Sequence, residues 1–163
     1  MKKWMALALA VPLVCSVEMA EASITRDDLS LGGISQGMDM DYVKQIYGQP
    51  DSEKVEPIMG WSGWYRALKY GDTITVYCDG DTKTGPMQVT FVESKGNNGF
   101  ETPRGLHVGS KAGEVVKAYG YPDTVVQGNI YVYYPDSNDK HFRLMFWVEK
   151  GVVTEIFAGM TFE

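Results

Sequence analysis

Gly33-Ile-Ser-Gln-Gly37-Met-Asp39-Met-Asp-Tyr-Val43-Lys-Gln-Ile-Tyr47-Gly48-Gln-Pro50-Asp51 returns later in this chain as a diverged copy. The second copy runs from Gly105 to Asp123, and Gly33, Gly37, Val43, Tyr47, Gly48, Pro50 and Asp51 recur as Gly105, Gly109, Val115, Tyr119, Gly120, Pro122 and Asp123. Seven identities in nineteen ungapped positions compare with about one expected from ordinary composition. A repeat of this kind has to be read before the fold is assigned. In the first copy Asp39 is placed to cap a helix, and Met40, Val43, Ile46 and Tyr47 form one apolar stripe. Gly48 suits the left-handed end of that helix and Pro50 forbids its continuation. The second copy predicts a helix over 110–119, with Val115, Val116 and Tyr119 apolar and the same Gly120/Pro122 stop. Gly113 weakens it by about 1 kcal/mol relative to alanine, so packing has to hold it.

After each helix the period changes from 3.6 to 2. Strands are predicted over 64–70, 73–78 and 87–92, and again over 130–134, 141–149 and 152–158, joined by turns such as Gly71-Asp72 and Lys150-Gly151. Short consecutive strands joined by turns read as antiparallel meanders. Thr25 and Asp28 are spaced as a capping box for one short helical turn before the first copy. The expected fold is therefore α+β: two tandem helix-plus-antiparallel-meander repeats, residues 23–93 and 105–163, separated by an aperiodic junction at 94–104. The helices would pack on one face of the sheets.

Alternation then assigns faces. Phe142, Leu144, Phe146, Val148, Ile130 and Val132 are expected toward the helices. The other face would carry Tyr65, Thr75, Tyr77, Tyr131, Tyr133, Arg143, Met145, Trp147 and Phe157. A solvated sheet face should be polar, and this one is aromatic. Such a face is either an interface, where Tyr, Trp, Met and Arg concentrate, or a surface covered by the chain's own segments. Trp61 and Trp64, beside a Gly-rich loop, read as rim anchors of that face or as a packed loop staple.

The chain starts Met1-Lys2-Lys3, continues with an apolar run from Trp4 to Val14, and reaches Ala20-Glu21-Ala22. That pattern predicts a secretory signal peptide over 1–22, cut after Ala22. The run is too short for a membrane span, and Val14 stands where a lipid-anchoring signal at Cys15 wants a small residue. The expected product is exported, periplasmic or extracellular, without a stable span. Its formal net charge stays at −6, which argues against nucleic acid or anionic lipid as the main partner. Cys78 would be its one cysteine, leaving no intrachain disulfide, and its apolar alternation marks a buried core thiol.

Candidate chemistry is thin. Asp79-Gly-Asp81-Thr-Lys83-Thr-Gly85 faintly resembles a calcium loop but lacks the third acidic ligand and the distal glutamate. His107 and His141 have no ligand-spaced partner. No Gly-x-Ser-x-Gly elbow exists, and Ser137-Asn-Asp-Lys140 matches Ser-x-x-Lys inside a polar turn. Asp39 and Asp41 suit the helix start and its dipole. Neither a catalytic residue, a metal site nor a cofactor is expected.

The pattern Gly-x-x-x-Gly, five residues, Val-x-x-x-Tyr-Gly-x-Pro, followed by aromatic strands and a Lys150-Gly151-Val152 hairpin, resembles the SmpA/OmlA (BamE-type) envelope domain. Two units in tandem on an exported chain are similar to the beta-lactamase-inhibitor-protein fold. The likeness covers most of residues 31–92 and 104–160. It implies helices on one side of an antiparallel sheet whose open face grips a protein. The chain lacks the inhibitors' disulfide within each repeat, and it is doubled and has no good lipobox, unlike the assembly component. Neither partner carries over. The expected function is an exported, non-catalytic protein-binding module that restrains an extracytoplasmic enzyme or scaffolds an envelope complex. The alternative is binding of cell-wall glycan or another small ligand.

Overall fold

A computed structural model describes residues 24–60 and 62–161. The signal-peptide reading of 1–22 and the rim reading of Trp61 fall outside the described residues. After a 3-10 turn at Arg26–Asp28 come β1 (Ser30–Leu31), β2 (Ile34–Ser35), α1 (Met40–Tyr47), β3 (Ser52–Pro57), β4 (Trp64–Tyr70), β5 (Ile74–Gly80) and β6 (Gln88–Ser94). The second half holds α2 (Ala112–Tyr119), β7 (Thr124–Val126), β8 (Ile130–Tyr133), β9 (Phe142–Glu149) and β10 (Val152–Met160).

The architecture corrects the α+β expectation of two helix-plus-meander repeats. The molecule is mostly β: β1 and β2 form a two-stranded sheet, and the other strands form one eight-stranded sheet in the order β3-β4-β5-β6-β10-β9-β8-β7. The helices contribute only eight residues each. What overturns the expectation is a pairing between distant strands, Phe91–Ser94 on β6 against Ile156–Gly159 on β10. That seam merges what the alternation treats as separate meanders.

The repeated segment anchors each helix to the sheet in matching ways. Gly37 N donates to Val89 O (2.7 Å) and Gly109 N to Val153 O (2.8 Å). Met40 N donates to Met87 O and Ala112 N to Gly151 O, both at 2.9 Å. Asp39 Oδ1 accepts from Asp41 N at 2.7 Å, the capping bond expected of that residue. At the far ends Gly48 and Gly120 take φ of 81° and 76°, a region that disfavours side chains. Tyr70 and Tyr133 each donate a hydroxyl to one of those glycine carbonyls, at 3.2 and 3.1 Å. Asp51 and Asp123 then accept from the backbone of Gly71 (2.6 Å) and Tyr134 (2.8 Å), fixing the chain as it leaves each helix.

One core lies between the helices, the β1–β2 hairpin and the inner face of the large sheet. Leu31, Ile34, Val43 and Val115 come from the covering layer, and Leu68, Val76, Val92, Leu144, Phe146 and Ile156 from the sheet. A fork-shaped ion pair closes its edge: Arg104 Nε and Nη2 each donate to one oxygen of Asp28 at 2.8 Å, and Asp28 is buried. Cys78 is buried in this core, and its thiol is pushed up to about 12 by that burial, so it is unreactive.

The seam has one point of close approach. At Gly159, with φ of 143°, an added Cβ would lie 2.4 Å from the Thr90 carbonyl oxygen and 2.6 Å from Phe91 Cα. Gly159→Ala is therefore expected to cost about 2 kcal/mol or more, read as a fall of several degrees in Tm. An unchanged melting curve would show that the seam tolerates separation.

Candidate functional site

Register, not sequence alternation alone, decides which side chains occupy the open face. Tyr77 pairs directly with Phe91 across β5 and β6, and Phe157 on β10 pairs with Met145 on β9. Tyr65 and Ala67 share that side on β4, and Trp147 shares it on β9. The expected outward positions of Tyr65, Thr75, Tyr77, Arg143, Met145, Trp147 and Phe157 therefore fall on one face. Phe157 is nonetheless 7% exposed, shielded by its neighbours.

Strand β8 is out of phase with the expectation. Tyr131 pairs with Phe146 and Tyr133 with Leu144, both core positions, while Ile130 and Val132 pair with the outward Trp147 and Met145. Tyr133 is wholly buried against the Tyr119 and Phe146 rings, and Tyr131 packs onto the core. Neither belongs to the site. The reason is local: Ile-Tyr-Val-Tyr is apolar on both sides, so its alternation carries no polar reference. Trp64 also moves, packing partly buried against the core with the Lys83 ammonium 5.5 Å from its ring centroid, and is not a rim anchor.

What remains outward is a row of rings crossing the strands. Tyr65 and Tyr77 centroids lie 6.4 Å apart, Tyr77 and Phe91 stack at 4.2 Å with 23° between planes, and Phe91 and Phe157 follow at 4.7 Å. Phe91 was absent from the sequence reading of this face; its cross-strand pairing with Tyr77 is the feature that places it. Tyr77 and Phe91 are stacked, whereas the Tyr65–Tyr77 and Phe91–Phe157 pairs are tilted, by 40° and 32°.

Where Tyr65 and Tyr77 separate, the end of β3 folds over them. Pro57, Ile58 and Met59 from that hairpin, with Tyr65, Tyr77 and Phe91 below, line a cavity of about 630 Å³. Its polar rim is already paired. Tyr65 donates its hydroxyl to Glu56 at 2.6 Å, Lys54 lies 2.7 Å from the same carboxylate, and Thr90 Oγ1 donates to Asp79 Oδ1 at 2.7 Å. Hydrogen bonds from Lys54 and then Tyr65 hold the Glu56 carboxyl below its ordinary range. Met59, 94% exposed, stands at the rim. A smaller depression of about 420 Å³ is lined by Tyr65, Tyr77, Lys54 and Lys69.

On the other side of the ring row sits a carboxylate pair. Glu93 lies on β6 beside Phe91, Glu155 lies on β10 beside Phe157, and Lys95 bridges them at 3.1 and 3.7 Å. Burial, followed by the hydrogen bond and charge of Glu93, pushes the Glu155 carboxyl up to about 7. Lys95 acts in the opposite direction. Tyr77, facing the same cluster from β5, is raised by burial and by Glu93. Among the described residues no group of three His, Cys, Asp or Glu side chains is placed to hold a metal. No helix among them is long and apolar enough to cross a membrane.

No protein-family model matches the chain, and no curated protein matches it. Among the solved structures with a distant likeness to the chain are two of 14% and 15% identity. A DUF4309 family protein from Bacillus subtilis subsp. subtilis str. 168 is 14% identical with a TM-score of 0.42, over 79% of this chain and 83% of its own. A cysteine-rich secretory protein from Staphylococcus aureus subsp. aureus Mu50 is 15% identical with a TM-score of 0.48, over 85% of this chain. The match spans 49% of that second protein. Likenesses this distant say nothing of activity or partner, and neither protein is described as BamE-type or inhibitor-type.

The carboxylate pair has a consequence for stability. A carboxyl raised in the folded state stabilises it below the ordinary glutamate range, and that contribution disappears as pH rises through about 7. Glu155→Gln, always neutral, should melt with the parent protein near pH 4.5 and should be more stable near pH 8. A gain on the order of 1 kcal/mol corresponds to a Tm difference of about 2–4 °C. Equal Tm differences at the two pH values would refute the proton held at this pair.

Proposed function

We propose that this chain is an exported, non-catalytic protein-binding module that holds its partner on the open face of the large sheet. The observation that carries the reading is the ring row Tyr65–Tyr77–Phe91–Phe157, continued by Met145 and Trp147, on a face where solvent alone calls for polar residues. Aromatic and methionine side chains concentrate at the centres of protein interfaces because they bury much area at little entropic cost. Restraint of an extracytoplasmic enzyme and scaffolding of an envelope complex are both functions such a face can perform.

A small apolar ligand is the second reading, and the 630 Å³ cavity favours it, since that volume lies in the range of ligand pockets. Both are tested together. A photo-crosslinking residue at Tyr77 should trap a partner that the same residue at Lys117, on the outer surface of α2, does not trap. The purified partner should then bind the parent chain, with Tyr77→Ala and Trp147→Ala together weakening it by about tenfold or more. Equal affinity for the double variant would rule out this face. Titration with peptidoglycan fragments should leave the tryptophan fluorescence unchanged, and a saturable change would favour the glycan alternative.

A further inference from the structure

The cavity and the carboxylate pair sit on one strand at a spacing that has meaning for a bound chain. Phe91, at the floor of the cavity, and Glu93 are two residues apart on β6, so their side chains leave the same face about 7 Å from one another. An extended peptide repeats its own side chains on one face at that same interval. A segment lying along β6 therefore brings alternate residues to the cavity and to the carboxylates in register.

The chemistry at the two positions differs. The cavity is walled by Pro57, Ile58, Met59 and rings, and the polar groups at its rim, Glu56 and Thr90, already have partners. The second position holds two carboxylates against the single ammonium of Lys95. Their side chains are 19% and 22% exposed, so solvent does little to separate their charges. Burial and the neighbouring Glu93 keep Glu155 up to about 7, so near neutral pH the pair retains a proton that an incoming cation can replace. Around the pair stand Lys95, just past the end of β6, Tyr77 from β5 and, across β10, the uncharged Trp147. The chain's net charge of −6 favours encounter with a basic partner.

The geometry points to a partner segment in extended conformation that places an apolar side chain in the cavity beneath the β3–β4 hairpin and, two residues away, a lysine or arginine on Glu93 and Glu155. This rests on the protein-binding reading and adds the chemistry of the bound segment. The cavity supplies burial, and the carboxylates supply the preference for one register and one charge.

The test uses the full chain and immobilised Ser/Thr peptides that each carry one phenylalanine and one lysine at spacings of one to four residues. Capture should be strongest at a spacing of two and should fall about tenfold when the lysine is replaced by glutamate. Glu93→Gln with Glu155→Gln, near-isosteric changes checked by thermal melting, should erase that lysine preference while phenylalanine peptides still bind. The preference should also weaken near pH 5, where Glu155 holds its proton. Capture that ignores the lysine or its spacing overturns the inference and leaves the protein-binding reading intact. Absence of any peptide capture, with a hydrophobic dye still binding the cavity, overturns it in favour of a small ligand. Failure of the broader reading would show separately, as a purified partner indifferent to Tyr77→Ala and Trp147→Ala.

Discussion

The pairing of β6 with β10 is the contact on which everything else in this chain depends. Each strand is already the last member of its half, hydrogen-bonded on one side to its sequence neighbours. Joined through Phe91–Ser94 and Ile156–Gly159, the two halves lose two sheet edges and gain one continuous inner surface. The same strands and the turns leading into them receive the helix entries, through Val89 and Met87 for α1 and through Val153 and Gly151 for α2. Their inward residues, Val92, Ile156 and Ala158, lie in the buried core. Their outward residues, Phe91, Glu93, Glu155 and Phe157, lie at the middle of the candidate site. A candidate surface so placed is held by the most central elements of the fold, which keeps its side chains preorganised.

The remaining edges are treated differently from the seam. Strand β3 carries Glu53, Lys54, Glu56 and Pro57, and Glu53 is engaged by Lys44 at 2.6 Å and Arg66 at 3.0 Å. Charges and a proline are the usual means by which an edge resists pairing with a second chain. Strand β7 is only three residues long, too short to offer an extended ladder. With the edges limited in these ways, the broad face is the larger surface left for recognition.

Legibility in the sequence followed the range of the interaction responsible. Helix α1 and both glycine stops were readable, because a cap, a stripe and a left-handed residue act within a few positions. The strands with one polar face were readable too. The phase of β8 was not, since Ile130, Tyr131, Val132 and Tyr133 offer no polar side to orient against. Strand β3 was missed because its charged residues answer to an edge and not to a core, and the β6–β10 seam because no local pattern encodes a pairing across more than sixty residues. The aromatic character of the open face was visible, but its membership was only partly so. Phe91 enters through its partner on β5, and Glu93 and Glu155 become a pair only when β10 is laid beside β6.

That pair is also the feature least explained by stability. Two carboxylates gathered on a half-buried apolar face repel one another, lose hydration and share a single ammonium. Threonine or glutamine at either position would satisfy the strand without the repulsion, and a β-branched residue would suit it better. A sheet that needed only to fold would gain by such a change. Stability set aside at a surface flanked by stacked rings and an apolar cavity is the pattern expected where binding, and not folding, constrains the side chains. The rings alone can be read as an extension of the core, and the carboxylates alone as a solvated face. Their juxtaposition on the outward side of β6 and β10 fits neither description, and the proposed cationic segment of a protein partner would account for both at once.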